Sequence, residues 1–387
     1  LTRYLRHLAV LPALALATAS PGAEVAPAAS DEPFAEAPIA LLLDMSSGQV
    51  LFARDADRRF MPASITKVMT LFLAFEMIEE GKLSPGQSFA MSEQAHRDWY
   101  GRGSRMFLEL GEAVTVETLL LGIANVSAND ASAVLAEGAA GSVEDWVSLM
   151  NAKAREIGMD DTHFGTPNGW MDEGRTFTTA HDLALLAREM ISRHPQLYRY
   201  YLGREGLAHR GIAQANHDPI RGKVEGADGI KTGFTNQAGF GFLGSAERDG
   251  RRLVMVAAGA GSSRERAKVS IALMEWGFAA FDTRNLYDAG AHVGHALVQE
   301  GAQRTVPLVA AAPIKATFPR GAAGTPTLTI RYEGPLQAPL EAGEPVAELE
   351  IALGDAPPSR VPLLTGAAVP QANEWQRLLN GLASLFQ

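Results

Sequence analysis

The sequence predicts an α/β (α+β) domain followed by a small all-β domain. Three features carry that prediction. A stretch from Leu71 to Glu80, apolar apart from Glu76 and its last two residues, needs burial on nearly every side if helical. Two strand-like runs, Ala238 to Ala246 and Arg251 to Ala258, flank Arg248-Asp249-Gly250, and an Asp-Gly pair is a strong hairpin signal. After about residue 284 the pattern changes to short Val/Leu/Ile/Thr runs separated by Gly and Pro, as in a β-rich module.

The elements follow in chain order. Arg3, Arg6 and His7 precede an apolar stretch, Leu8 to Leu16, that is too short to span a membrane, and Ala17-Thr18-Ala19 gives a small-x-small cleavage pattern. Residues 1–19 are therefore expected to be a secretory signal peptide, and residues 20–37, rich in Ala, Pro and acidic groups, a linker. Ile39 to Leu43 and Gln49 to Ala53 around Ser46-Ser47-Gly48 read as a hairpin. The apolar helix is expected to start near Pro62 and stop at Gly81. Helical spacing recurs over Val116 to Leu121, Ala131 to Glu137 and Val143 to Ile157, and over Leu183 to Ile191 behind the cap Thr178-Thr179-Ala180-His181-Asp182. Lys268 to Phe281 is a further apolar helix containing Trp276.

The expected domains are residues 38–284, a β-rich domain over 285–368, and an amphipathic helix over 371–387. That last helix carries Trp375, Leu378, Leu379, Leu382, Leu385 and Phe386 on one face, suited to docking on the protein or to a membrane interface.

Composition narrows the function. A net charge of −10 with no Lys/Arg cluster argues against a nucleic-acid partner. The absence of cysteine excludes thiol catalysis, Cys-ligated zinc and iron–sulfur clusters. His292 and His295 match no metal motif, and no Gly-rich phosphate loop follows a strand, so no metal or cofactor is expected.

The chemistry centres on Lys67. An ammonium on the first turn of a buried helix is costly unless it is paired or its pKa falls, and a neutral amine near the Ser64 hydroxyl can activate a nucleophile. Ser64 and Lys67 are three residues apart and share a helix face. Ser127-Ala128-Asn129 places two short polar side chains among apolar runs, in the manner of a helix cap or a site. Asp228-Gly229-Ile230-Lys231-Thr232-Gly233-Phe234-Thr235 would put a lysine and a threonine on an edge strand, with Gly233 leaving room for another backbone or a ligand.

Ser-x-x-Lys, Ser-x-Asn and Lys-Thr-Gly in this order form the motif set of penicillin-binding proteins and class A β-lactamases. The chain resembles the serine D-alanyl-D-alanine carboxypeptidases, the low-molecular-mass penicillin-binding proteins. The likeness extends to Pro62–Thr70, Asn129-Asp130-Ala131, Met150-Asn151, Ile157-Gly158-Met159 and Trp276-Gly277-Phe278.

The resemblance implies a transpeptidase/β-lactamase-like fold, an antiparallel sheet flanked by helices. It implies an exported enzyme, in the periplasm or on the outer face of the cytoplasmic membrane, that removes the terminal D-alanine from peptidoglycan stem peptides. Ser64 would form the acyl-enzyme, Lys67 would take its proton and Ser127 would relay a proton to the leaving amine. Asn129 would hold the substrate amide. Lys231, Thr232 and Arg266 would bind the terminal carboxylate beside Gly233, with Arg264 a competing assignment for Arg266. The N–H groups of Ser64 and Phe234 would form the oxyanion hole.

β-Lactams are the expected covalent inhibitors, and the terminal helix a possible peripheral membrane contact. Asn168 stands where some relatives have His, and Trp170 where an aliphatic residue is more usual. Glu173 is poorly placed as the deacylating glutamate of a β-lactamase. A β-lactamase, a D,D-endopeptidase and a non-catalytic envelope binding protein are the rival readings.

Overall fold

The computed structural model describes residues 9–10, 34, 37–322, 325–352 and 358–376. The chain divides into two compact units. One takes Leu51–Ala279 with the segment that ends at Met45; the other takes Ser46–Val50 and the chain from Ala280 on, a few residues before the expected boundary at 285.

The first unit is built on a five-stranded sheet. Its strands are β1 (Ile39–Asp44), β2 (Gln49–Arg54), β3 (Ala227–Thr235), β4 (Gly239–Arg248) and β5 (Arg251–Ala260), in spatial order β2-β1-β5-β4-β3. β5 pairs antiparallel with β1, from Leu253↔Asp44 to Ala258↔Ile39, and with β4 through the Asp249-Gly250 turn. Both turn residues have positive φ, 50° and 73°, which is what the tight hairpin demands. β3 pairs antiparallel with β4 and forms the sheet edge, so Lys231 and Thr232 lie on an edge strand.

β1, β4 and β5 are each buried over six consecutive residues, so both faces at the middle of the sheet are covered and these strands do not alternate apolar with polar. Leu42, Leu253, Met255 and Ala257 pack with Val269, Leu273 and Met274 of helix α8 (Ser263–Ala280). Gly277 lets that helix come close: a Cβ there would lie 2.5 Å from Leu42 Cδ2 and 2.8 Å from Leu253 Cδ1. Phe34, Phe52 and Trp276 close the edge of this core in edge-to-face contacts.

The remaining helices are α1 (Lys67–Glu79), α2 (Glu93–Trp99), α3 (Val116–Asn125), α4 (Asn129–Ala140), α5 (Val143–Glu156), α6 (Ala180–Arg193) and α7 (Pro195–Tyr201). α1 is buried from Lys67 to Phe75, in keeping with its apolar circumference. The caps read in the sequence form: Thr179 Oγ1 accepts from Asp182 N at 3.1 Å at the start of α6.

Two expectations are corrected. The turn before α1 is a 3-10 helix, Ala63–Thr66, rather than the first turn of an α-helix from Pro62. Residues three apart eclipse one another in a 3-10 turn, which sets the Ser64 and Lys67 side chains one above the other. α8 begins at Ser263, earlier than the expected Lys268, because Ser262 Oγ accepts from Glu265 N (3.1 Å) and the Glu265 carboxylate accepts from Gly261 N (2.9 Å). That extra turn carries Arg266.

The second unit is β-rich. Its main sheet brings Thr327–Arg331, Pro345–Ala352, Ser359–Thr365, Thr305–Ala310 and His292–Gln299 side by side in that order, over a core that includes Val306, Leu308, Leu349, Ile351 and Leu363. Phe281–Tyr287 and Ile314–Pro319 form a separate antiparallel pair.

The expected signal peptide and linker lie outside the described residues, apart from Phe34, Ala37 and Ala9–Val10, the last pairing with Ile330 and Thr329. The expected terminal helix is described only to residue 376, where Trp375 is 76 % exposed. No helix among the described residues is long and apolar enough to cross a membrane.

Candidate active site

The 3-10 turn places Ser64 half-buried at the wall of a cleft of about 290 Å³, with Lys67 fully buried beneath it. The Lys67 Nζ lies 3.0 Å from Ser64 Oγ, 2.8 Å from Asn129 Oδ1 and 2.8 Å from the Asn168 carbonyl oxygen. Two of these three partners can only accept. A neutral amine has two N–H donors and one lone pair, so the two carbonyl oxygens take both donors and the lone pair is left for the Ser64 hydroxyl proton. Burial holds the Lys67 amine well below its ordinary pKa; the Lys231 charge pushes the same way, and Asp130 opposes it.

Three segments converge to make this arrangement. α4 begins at Asn129 and aims its amide at Lys67. Ser127, just before it, is buried and has φ +60°, an uncommon conformation for a non-glycine residue. The neighbouring Asp130 carboxylate accepts from Met106 N (2.9 Å), Leu108 N (3.2 Å) and Ala131 N (2.9 Å), while Asn129 N donates to Ser104 O at 2.8 Å. These bonds stitch residues 104–108 to the start of α4.

The second segment is the loop 166–170. Its Pro167 carbonyl accepts from Thr70 Oγ1 at 2.6 Å, and Thr166 Oγ1 accepts from Gly169 N at 2.9 Å. Gly169, with φ +73°, runs so close to the nucleophile turn that a Cβ would lie 1.8 Å from Ala63 O.

The third segment is β3. A Cβ on Gly233 would lie 2.4 Å from Pro62 O, so the room at this glycine is taken by a backbone. Lys231 is buried, with its Nζ donating to Thr232 O at 3.1 Å, which corrects the solvated-strand alternative. Burial lowers its pKa to about 7, with Arg266 adding to the effect and Asp218 opposing it. Arg266 is buried whereas Arg264 is exposed, which separates the two candidates. Phe234 is exposed at the cleft and stacks on Phe240 at 4.1 Å.

The cleft is lined by Ser64, Ser104, Asn129, Trp170, Met171 and Phe234, among others. Trp170 packs edge-to-face on Trp99 at 5.9 Å and forms an aromatic wall. Glu173 is exposed and not among the lining residues. Larger grooves of about 500 and 690 Å³ lie elsewhere, on the β-rich unit and beside α2, so size does not locate the chemistry. No group of three or more His, Cys, Asp or Glu among the described residues could hold a metal ion.

Sequence reasoning missed the Asn168 backbone oxygen, Asp130 and Asp218. The first carries no side-chain signature, and the other two act through contacts distant in sequence.

The family model for D-alanyl-D-alanine carboxypeptidase matches residues 26–262, and that for the C-terminal domain of penicillin-binding protein 5 matches residues 281–371. The D-alanyl-D-alanine carboxypeptidase DacF of Bacillus subtilis is 32% identical over 320 residues, 81% of this chain and 81% of that protein. DacA of Haemophilus influenzae is 33% identical over 314 residues, 80% and 79% of the two chains. Among solved structures, penicillin binding protein 5 of Haemophilus influenzae aligns with a TM-score of 0.76 and 30% identity, covering 87% of this chain and 98% of that one. Penicillin-binding protein D2 of Listeria monocytogenes in its ampicillin-bound form aligns with a TM-score of 0.57 and 29% identity, covering 63% of this chain and 98% of that one.

Proposed function

The chain belongs to the D-alanyl-D-alanine carboxypeptidase family, and from that premise we propose that it removes the terminal D-alanine of peptidoglycan stem peptides through an acyl-enzyme on Ser64. The observation that carries the proposal is the buried Lys67 amine 3.0 Å from Ser64 Oγ, its two other contacts being carbonyl acceptors.

Ser64 Oγ attacks the carbonyl carbon of the penultimate D-alanine as its proton passes to Lys67 Nζ. The N–H groups of Ser64 and Phe234 receive the negative charge that develops on the carbonyl oxygen. Ser127 hands its proton to the departing amine and takes in its place the one held on Lys67 Nζ, the C–N bond breaks, and free D-alanine leaves. Asn129 holds the substrate amide, and Lys231, Thr232 and Arg266 hold the terminal carboxylate beside the small Gly233. Water then attacks the ester and regenerates Ser64.

β-Lactams present an amide and a carboxylate in a related geometry and acylate the same oxygen. A β-lactamase reading finds no support at Glu173, which is exposed and outside the cleft lining. We assign the enzyme to the periplasm or the outer face of the cytoplasmic membrane, where its substrate lies, with the segment 371–387 as its peripheral membrane contact.

The test is mass spectrometry with peptide mapping after brief exposure to benzylpenicillin. The expected result is one penicilloyl adduct on the peptide containing Ser64, lost in Ser64→Ala. An adduct that persists in Ser64→Ala overturns the assignment.

A further inference from the structure

The reaction above leaves Trp170 without a role, although its indole lines the same cleft as Ser64 and Asn129. The indole is held from several directions. Trp99 of α2 meets it edge-to-face at 5.9 Å. The Trp170 backbone N–H donates to Asn168 Oδ1 at 3.0 Å, and Asn168 is the residue whose carbonyl accepts from Lys67. Gly103, with φ +60°, passes so close that a Cβ there would lie 2.7 Å from Trp170 Cζ3 and 2.7 Å from Asn129 Nδ2. One point is in contact with both atoms, so the indole edge and the amide nitrogen lie side by side. Asn129 Oδ1 is taken by Lys67, which leaves Nδ2 as the donor for a substrate carbonyl.

The rest of the lining suits an uncharged, largely apolar guest. Met171, 43 % exposed, and Phe234, 48 % exposed, present apolar surface there. No charged side chain is among the lining residues. Lys231 and Arg266, which hold the terminal carboxylate in the proposed reaction, are buried on β3 and α8 and do not line this cleft.

We propose that Trp170 is a specificity-determining residue, whose indole receives the aliphatic side chain of the residue preceding D-Ala-D-Ala in the stem peptide. The inference deepens the proposed function and rests on it. The amide that Asn129 holds joins that residue to the penultimate D-alanine. Its side chain therefore branches off beside Nδ2, where the indole stands. An indole is a broad, rigid apolar surface, and methylenes laid on it leave water. With no charge lining the cleft, the far end of the side chain is not read. The site measures aliphatic length and takes the terminal amine either free or acylated.

The test is steady-state release of D-alanine from three peptides: Nα,Nε-diacetyl-Lys-D-Ala-D-Ala, Nα-acetyl-Lys-D-Ala-D-Ala and acetyl-Gly-D-Ala-D-Ala. The wild type should favour the diacetylated lysyl peptide over the glycyl peptide by about tenfold or more in kcat/KM. It should treat the two lysyl peptides alike to within about threefold. Trp170→Ala should cut the lysyl preference by about five- to tenfold, chiefly through KM for the lysyl peptide. Trp170→Phe, which keeps an aromatic face, should retain most of it. Any displacement of Lys67 or Ser64 slows all the peptides alike and cancels in the ratio. If Trp170→Ala does not fold, the same comparison is made with Trp170→Gln, which keeps bulk against Trp99 but not the apolar face.

Equal kcat/KM for the lysyl and glycyl peptides in the wild type overturns the role, as does a lysyl preference that survives the loss of the indole. A loss of rate on both peptides in equal proportion marks a tryptophan that only supports the fold, and overturns it too. A difference beyond threefold between the two lysyl peptides shows that charge is read and refutes the neutral cleft. If the wild type releases D-alanine from none of the three, the catalytic reading fails instead, so the two failures are distinct.

Discussion

Lys67 and Lys231 are both buried, and the Lys231 charge makes Lys67 harder to charge. This gives the pH dependence a definite sign. Acylation needs neutral Lys67, so its rate should rise with pH through the depressed Lys67 pKa. Lys231→Ala removes a positive charge that pushes that pKa down, so the acid limb of the acylation profile should move up by roughly one pH unit. At neutral pH the same variant should lose about tenfold or more in acylation by benzylpenicillin, through the weakened carboxylate site. Stopped-flow acylation against pH checks both; a limb that stays in place means that the two amines are not coupled. At this scale the sequence was informative where a residue's role lies in its own side chain and a short spacing, as with Ser64, Lys67 and Lys231. It marked Asn168 only as a departure from relatives and missed its role, a carbonyl that any residue possesses. It placed Asp130 only within a likeness and passed over Asp218, since the partners of both are fixed only when the chain folds.

The elements bearing the site are held by close backbone approaches. Gly169→Ala would force a Cβ into Ala63 O at a residue with φ +73°. It should cost about 2 kcal/mol or more and displace the nucleophile turn. Thermal denaturation and penicillin labelling should therefore fail together in this variant, and a stable, fully labelled protein would refute the packing argument. Ser262→Ala removes the cap of α8 and should cost about 1 kcal/mol. Because Arg266 rides on that first turn, its KM for a diacetylated Lys-D-Ala-D-Ala tripeptide should also rise while kcat changes little. The Ser-x-x-Glu signal of this cap, Ser262 to Glu265, was present in the sequence, but the apolar periodicity begins only later and drew the predicted start to Lys268. Likewise, a nearly continuous apolar run between Pro62 and Gly81 foretold α1, and only tertiary packing of Pro62, Gly169 and Gly233 decides that its lead-in is a 3-10 turn.

For the whole molecule, the two units have separate cores, and every proposed reacting group lies in the first. A chain ending at Ala279 should therefore still be acylated by benzylpenicillin at a rate within about threefold of the full chain; loss of acylation in a folded truncation would contradict this independence. The division into a helix-rich and a β-rich part was legible because the spacing of apolar residues changes near residue 284. Strand order was not, since β1 could have paired with any of several apolar runs. Its actual partner has a consequence for biosynthesis. Ile39–Asp44 is bordered by residues 253–258, so the platform lacks its central joint until Ala258 has been synthesised. A nascent chain of this enzyme stays threadable for most of its length, which is the condition a polypeptide must meet to pass through a narrow translocation channel before it folds.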